Sequence, residues 1–350
     1  MQPQTAADTT APALPDNERL IEFLTPSQLS GYIPPEGARL IGDFHVTRGA
    51  VFVIGGAPGV GKSRALTALA IAGATGHAWL GLPLHRKFKT MIIQNENGRF
   101  RLKTEFAGVD CTVLDDWVRV CPPPPRGLCF SRAEFRHQLA AGIAEFMPDV
   151  VGLDPWNAAA ANDQAKDYLE TFDIIRSVIP AGDNAPALGI VAHTRKPKAD
   201  ERASGRGLLN LLAGSYVLGS VPRSVFVMQA ASDDTDDSRV VWTCCKNNDG
   251  QMGTRSAWIR SNGLFSPVEG FDWDSFDNPP TKAPKHKQVV DIVRKSPTPP
   301  TKGAIVAALI AGGIKQATAY RWIDSAVADE AIFHDKIEDT FSVDSHGENQ

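Results

Sequence analysis

Eight consecutive residues, Gly56, Ala57, Pro58, Gly59, Val60, Gly61, Lys62 and Ser63, spell G-x-x-x-x-G-K-[ST] directly after the apolar run Val51–Ile54. Glycines at that spacing let backbone N–H groups converge on phosphate oxygens, and the helix expected from Ser63 onward turns its positive end toward the same point. Lys62 is placed to neutralise phosphate charge. The Ser63 hydroxyl is placed to ligate Mg2+, and Arg64 completes the nucleotide-binding set.

A phosphate loop alone does not say what is done with the phosphate. Three later positions narrow it. Glu96 follows the apolar run in KTMIIQNENG and is the one carboxylate at that tip, between Asn95 and Asn97. A carboxylate on a strand neighbouring the loop strand can take a proton from an attacking water. Asp154 closes the apolar run in DVVGLDPW, where it can hold Mg2+ and orient Ser63; Asp149 begins that run and is the weaker choice. His193, in GIVAHTRKP, stands just beyond another apolar run, where an imidazole can sense a γ-phosphate. Together these imply ATP and Mg2+ as the bound species.

Arg195, Lys196, Lys198, Arg202 and Arg206 crowd the stretch that follows, against Asp200 and Glu201. With no aromatic residue among them, they suit sequence-independent contact with the phosphates of single-stranded DNA. Arg223 and Lys246 each lie at the mouth of an apolar run, and either could reach a neighbouring subunit's γ-phosphate as a finger.

These residues need a scaffold that brings strand ends together. Apolar runs at 50–56, 89–95, 148–155, 187–194, 224–230 and 239–246 alternate with helical patterns at 63–72, 99–107, 133–146 and 166–179. The alternation predicts an α/β fold, a RecA-like P-loop core with a largely parallel central sheet, over 47–270. A tail at 1–18 and a lead-in at 19–46 precede it, with Thr25 expected to cap a helix starting at Pro26. The Pro-rich stretch 271–285 reads as a linker. Three helical patterns and two short strands over 286–343 then predict a winged helix-turn-helix, with 344–350 as a tail. The presumed recognition helix presents Gln316, Thr318 and Arg321, but Thr281–Thr340 holds nine basic and seven acidic residues, so a replication protein fits that unit about as well as duplex DNA.

Hydrophobic residues at 43% and charged residues at 22% suit a buried core and argue against disorder. A net charge of -4 leaves any DNA contact to local basic loops. Five cysteines with no C-x-x-C pair, and no basic-then-apolar leader, predict a reducing cytoplasm and no membrane role.

The motifs GGAPGVGKS, QNENG, VVGLDPW, VAHTRKP, GSYVLGSVPRSVFVM and KNNDG occur in the order and spacing of the RepA-like hexameric helicases, a family of RecA-type P-loop AAA ATPases of plasmid and phage replication. The resemblance spans about Leu40 to Glu269. It implies Lys62 and Ser63 for nucleotide and Mg2+, Glu96 as catalytic glutamate, Asp154 as the magnesium aspartate, His193 as sensor and Arg223 as the finger acting in trans. Relatives often carry two histidines at the sensor, where this chain has Ala192 before His193. The resemblance further implies a homo-oligomer, a hexameric ring acting as a helicase on single-stranded DNA. A non-translocating ATP switch that binds DNA or a partner, and a recombinase-like filament, are the alternatives.

Overall fold

The computed structural model describes residues 22–159, 164–179, 182–196, 203–214, 216–232, 234, 236–278 and 287–343. Its contacts gather into two compact units, Met1–Phe271 and Asp272–Gln350. The expected tails, and Lys198 and Arg202 of the basic stretch, lie outside the described residues.

Thr25 accepts from the Gln28 N–H while the Gln28 side chain accepts from the Thr25 N–H, a reciprocal cap that opens α1 (Pro26–Ser30). Strands β1 (Arg39–Ile41) and β2 (Val46–Thr47) form a small antiparallel pair whose Leu40, Ile41 and Val46 join a core cluster of the larger sheet. The chain then alternates through β3 (Val51–Gly56), α2 (Lys62–Thr75), β4 (Thr90–Gln94), α3 (Arg99–Glu105), β5 (Val118–Cys121), α4 (Ala133–Phe146), β6 (Val150–Asp154), α5 (Ala165–Arg176), β7 (Ala187–His193), α6 (Val217–Ser220) and β8 (Ser224–Ala230). Three more strands follow, β9 (Arg239–Asn247), β10 (Ser256–Ser261) and β11 (Leu264–Pro267).

All but β1 and β2 of these strands share one nine-stranded sheet in the order β11-β10-β9-β8-β3-β7-β6-β4-β5. The six strands from β8 to β5 run parallel, and β9, β10 and β11 add antiparallel. Every residue of β4 and β6 is buried, as expected of apolar strands covered on both faces. Alternation along the strands divides the core in two: Phe52 and Ile54 pack with Leu66, Leu69, Trp79 and Trp242, while Val53 packs with Trp156, Tyr168 and Phe172. The α/β reading of the core is therefore correct, and its largely parallel centre with it.

One expectation about strand neighbours fails. The strand leading to Glu96, β4, does not adjoin the phosphate-loop strand β3; β7 and β6 stand between them. Strands β1, β2, β5, β10 and β11 had not been expected at all.

The second unit begins with α7 (Trp273–Asp277), a short helix inside the stretch expected to be linker. Helices α8 (Lys287–Lys295), α9 (Lys302–Ala311) and α10 (Gln316–Ala328) precede an antiparallel pair, β12 (Phe333–Asp335) and β13 (Thr340–Ser342). Val289, Val293, Ile305, Leu309, Ile323 and Phe341 form its buried core. Thr301 caps α9 by accepting from the Ala304 N–H, and Gly313, at φ 86°, makes the left-handed step between α9 and α10.

Candidate active site

Strand β3 ends at Gly56 and α2 starts at Lys62, so the intervening loop must reverse within five residues. Gly59 (φ 76°) and Gly61 (φ 109°) take the left-handed backbone that this requires. The Lys62 ammonium is buried beneath the loop, where Nζ donates to the Ala57 carbonyl at 2.9 Å and lies 3.3 Å from His193 Nδ1. Burial lowers its pKa, against the opposing pull of Asp154 and Glu96.

Asp154 is the last residue of β6 and fully buried. Its Oδ2 accepts from Gln94 Nε2 at 2.8 Å, while Oδ1 is buried with no hydrogen-bond partner. Burial pushes the carboxyl up to about 6, and the nearby Ser63 hydroxyl and Gln94 amide work against that rise. An orphaned carboxylate oxygen at this depth is a place for a cation.

His193 is the last residue of β7, paired in register with Gly56. Burial and the Lys62 charge lower its pKa, which favours the neutral ring at pH 7. An ammonium can only donate, so Nδ1 is the acceptor and the ring proton sits on Nε2. That nitrogen faces Glu96, 3.8 Å from Oε1. Glu96 lies two residues beyond the end of β4, with its side chain about half exposed (54%). The histidine thus stands between the lysine of the loop and the glutamate that could activate water.

Pro58, Gly59, Gly61, Lys62, Ser63, Arg64, Glu96, Asp154 and His193 line one cleft of about 460 Å3, a size suited to a nucleotide. Nothing lies within 4 Å of where a Gly59 side chain would begin, so the top of the loop is open to a ligand. Among the described residues no cluster of three or more His, Cys, Asp or Glu could cage a metal. A magnesium ion here would lean on phosphate oxygens beside Ser63 and Asp154, as this cation usually does. The residues present fit a magnesium-bound nucleoside triphosphate.

Arg223 and Lys246 are elsewhere. The Arg223 N–H donates to Val51 O, at the far end of β3 from the loop, about 17 Å away by strand rise. Its guanidinium pairs with Asp249, Nε donating to Oδ2 at 2.9 Å. Lys246 Nζ donates to the carbonyls of Gly219 and Ser220, both at 2.9 Å. Neither can serve the phosphates of its own chain. In the basic stretch, Arg195 Nε donates to Asn210 O, and Lys196 and Arg206 are exposed.

Several residues in or beside the cleft gain a role only from the structure. Gln94 orients Asp154. Glu105 is buried at the end of α3 between Arg64 and Arg101; burial raises its pKa and the two guanidiniums pull it back. The i, i+4 spacing of Arg101 and Glu105 reads in the sequence as an ordinary surface pair. Arg260, on β10, donates to the carbonyl of Gly59 at 2.7 Å.

No curated protein matches the chain. The AAA domain family matches residues 16–199, a span that takes in the phosphate loop, Glu96, Asp154 and His193 and stops short of Arg223 and Arg260. With a match over more than half of its 350 residues, the chain belongs to the AAA domain family of P-loop ATPases.

Proposed function

We propose that this chain is an ATP-hydrolysing, oligomeric DNA motor of the RepA-like helicase kind, moving on single-stranded DNA as a ring, in the resemblance's form a hexamer. The observation that carries the reading is the convergence of Lys62, Ser63, Glu96, Asp154 and His193 on one cleft at the carboxyl ends of parallel strands.

The loop N–H groups and Lys62 bind the polyphosphate, and Ser63 and Asp154 would hold Mg2+. Bound there, the ion would supply neutralisation of the polyphosphate charge. Glu96 accepts a proton from water as the water oxygen bonds to the γ-phosphorus and the bond to the β,γ-bridging oxygen breaks, leaving ADP and phosphate. Arg223 of a neighbouring subunit stabilises the developing charge once released from Asp249, with Lys246 the second choice. His193 changes partners when Lys62 turns from its ring to phosphate, and its position two residues before Arg195 passes that change to Arg195, Lys196, Lys198, Arg202 and Arg206. Those residues track the DNA backbone. Helices α8, α9 and α10 and the hairpin of the second unit act as a winged helix-turn-helix, docking duplex DNA or a replication protein through α10.

The test is molar mass in the presence of an ATP analogue and an oligonucleotide, with hydrolysis and strand separation measured on wild type and Glu96→Gln. Expected are a ring-sized species, hydrolysis stimulated by single strands, and a loss of about 100-fold or more in Glu96→Gln. A monomer indifferent to single strands removes the motor. Normal hydrolysis by Glu96→Gln removes the assignment of the base.

A further inference from the structure

Arg260 has an arrangement that the hydrolysis scheme does not use. It is half-buried on β10, next to the turn into β11, and all three of its guanidinium nitrogens donate to main-chain carbonyls: Nε to Ser238 at 3.1 Å, Nη2 to Asp237 at 3.3 Å and Nη1 to Gly59 at 2.7 Å. Among the described residues no carboxylate lies within 4 Å of it; the Asp237 carboxylate is taken by Arg239. A cation held in place by three main-chain carbonyls, with Arg64 a like charge nearby and Asp237 an opposing one, therefore rests against the crest of the phosphate loop. The contact is close, since a side chain at Gly61 would begin 2.8 Å from Arg260 Cδ.

In a trans peptide the C=O and N–H point in opposite directions. Arg260 holds the Gly59 carbonyl outward, so the Val60 N–H of the same peptide is turned inward, where it meets the Ala57 carbonyl at 3.3 Å. That carbonyl is also the acceptor for Lys62 Nζ at 2.9 Å. One inward acceptor thus gathers a backbone donor and the lysine, which is the donor pair that a phosphate oxygen would take over.

We infer that Arg260 is a positioning residue of the nucleotide site, fixing the Gly59–Val60 peptide with its N–H toward the cleft and adding positive charge beside a bound nucleoside di- or triphosphate. The inference rests on the reading of this cleft as the nucleotide site. It assigns to the β10–β11 hairpin, beyond the matched family span, a part in binding polyphosphate.

Calorimetric titration of the full chain with ATP, ADP and AMP, together with KM and kcat for hydrolysis, tests it in Arg260→Ala, Arg260→Lys and, as control, Lys62→Ala. Removing a charged donor from the loop raises Kd for ATP and ADP, and KM for ATP, by about ten-fold, with kcat changed far less. AMP, without the polyphosphate, binds Arg260→Ala and wild type alike. Arg260→Lys, which keeps the charge and one donor, recovers part of the loss; should Arg260→Ala fail to fold, the lysine variant carries the test with a KM raised about three-fold. Wild-type Kd and KM in the folded Arg260 variants, with Lys62→Ala binding poorly, overturn the role of Arg260 alone. Undiminished binding by Lys62→Ala overturns the nucleotide site and this inference with it. A kcat that falls while KM holds overturns positioning in favour of a part in the chemical step.

Discussion

Replacing Asp154 by Asn separates what the buried carboxylate contributes to function from what it does to stability. The side chain is fully buried, and its pKa rises from 3.8 to about 6 chiefly through burial. That difference is roughly two pH units, or about 3 kcal/mol at 1.36 kcal/mol per unit. Because the folded pKa lies above the unfolded one, the native state holds the proton more tightly than the open chain does. This favourable contribution is complete below pH 3.8 and is lost as pH rises through about 6, so at pH 8 the ionised carboxylate weighs on the fold. Asparagine keeps an oxygen for the Gln94 amide and carries no charge to bury. In EDTA, Asp154→Asn should exceed wild type in stability by about 2 to 3 kcal/mol at pH 8, with roughly half that advantage at pH 5. Thermal melts across pH 5 to 8 read the difference as an upward shift of about 5 to 10 °C at the alkaline end. Magnesium and ATP should then raise the wild-type midpoint and leave the variant's nearly unmoved. An advantage that stays constant with pH, or an asparagine variant less stable than wild type at pH 8, refutes the argument from burial.

Three further outcomes follow from the same geometry. Arg223→Ala should lower hydrolysis by the assembled protein about 100-fold or more, and mixing it with Glu96→Gln chains should restore part of the rate; titrating the mixing ratio checks this, and no recovery speaks against a site shared between subunits. The double variant Lys196→Ala with Arg206→Ala should flatten the salt dependence of single-strand affinity by about 1.4 in log–log slope, measured by fluorescence anisotropy. Leu66, fully buried on α2 and pressed against Gly152 of β6, should cost about 2 to 5 kcal/mol when replaced by Ala, read by urea denaturation of the large unit.

The strands that carry the cleft were legible because each is a short continuous apolar run, ending in glycines in β3 and in a polar residue in β4, β6 and β7, a pattern that suits a strand covered on both faces. Weaker patterns hid the rest. Strand β5 alternates half-buried and exposed positions over four residues at the sheet edge, too few to stand out from a loop. The β10–β11 hairpin did leave a signal: Asn262-Gly263 sits between Trp258–Ser261 and Leu264–Pro267, and Asn262 takes the left-handed backbone (φ 55°) that such a turn needs. Reading that dipeptide would have placed β10 and β11, but Arg260's role depends on a contact with Gly59, 201 residues away in sequence, which no local pattern encodes. The order of strands was likewise out of reach, since β4 follows β3 in the chain yet lies three places along in the sheet.

That misplaced neighbour explains how Glu96 still reaches the cleft. Gln94 pairs in register with Asp154, and Leu153 pairs with Ile190, which puts Asp154 level with Val191. Glu96 lies two residues beyond Gln94, and His193 two residues beyond Val191. Within β7 a step of two returns His193 to the face of Val191, and Glu96 stands the same two residues past the level of Asp154 in the bend after β4, so glutamate and histidine come together from the two strands that flank β6. Their 3.8 Å approach is thus set by strand register rather than by adjacency to the phosphate loop. A one-residue slip of β4 against β6 would turn Glu96 to the opposite face while leaving every motif in the sequence intact. The buried Gln94–Asp154 hydrogen bond, joining the two strands at their last paired residues, opposes that slip, which gives Gln94 a reason to be polar at a buried position.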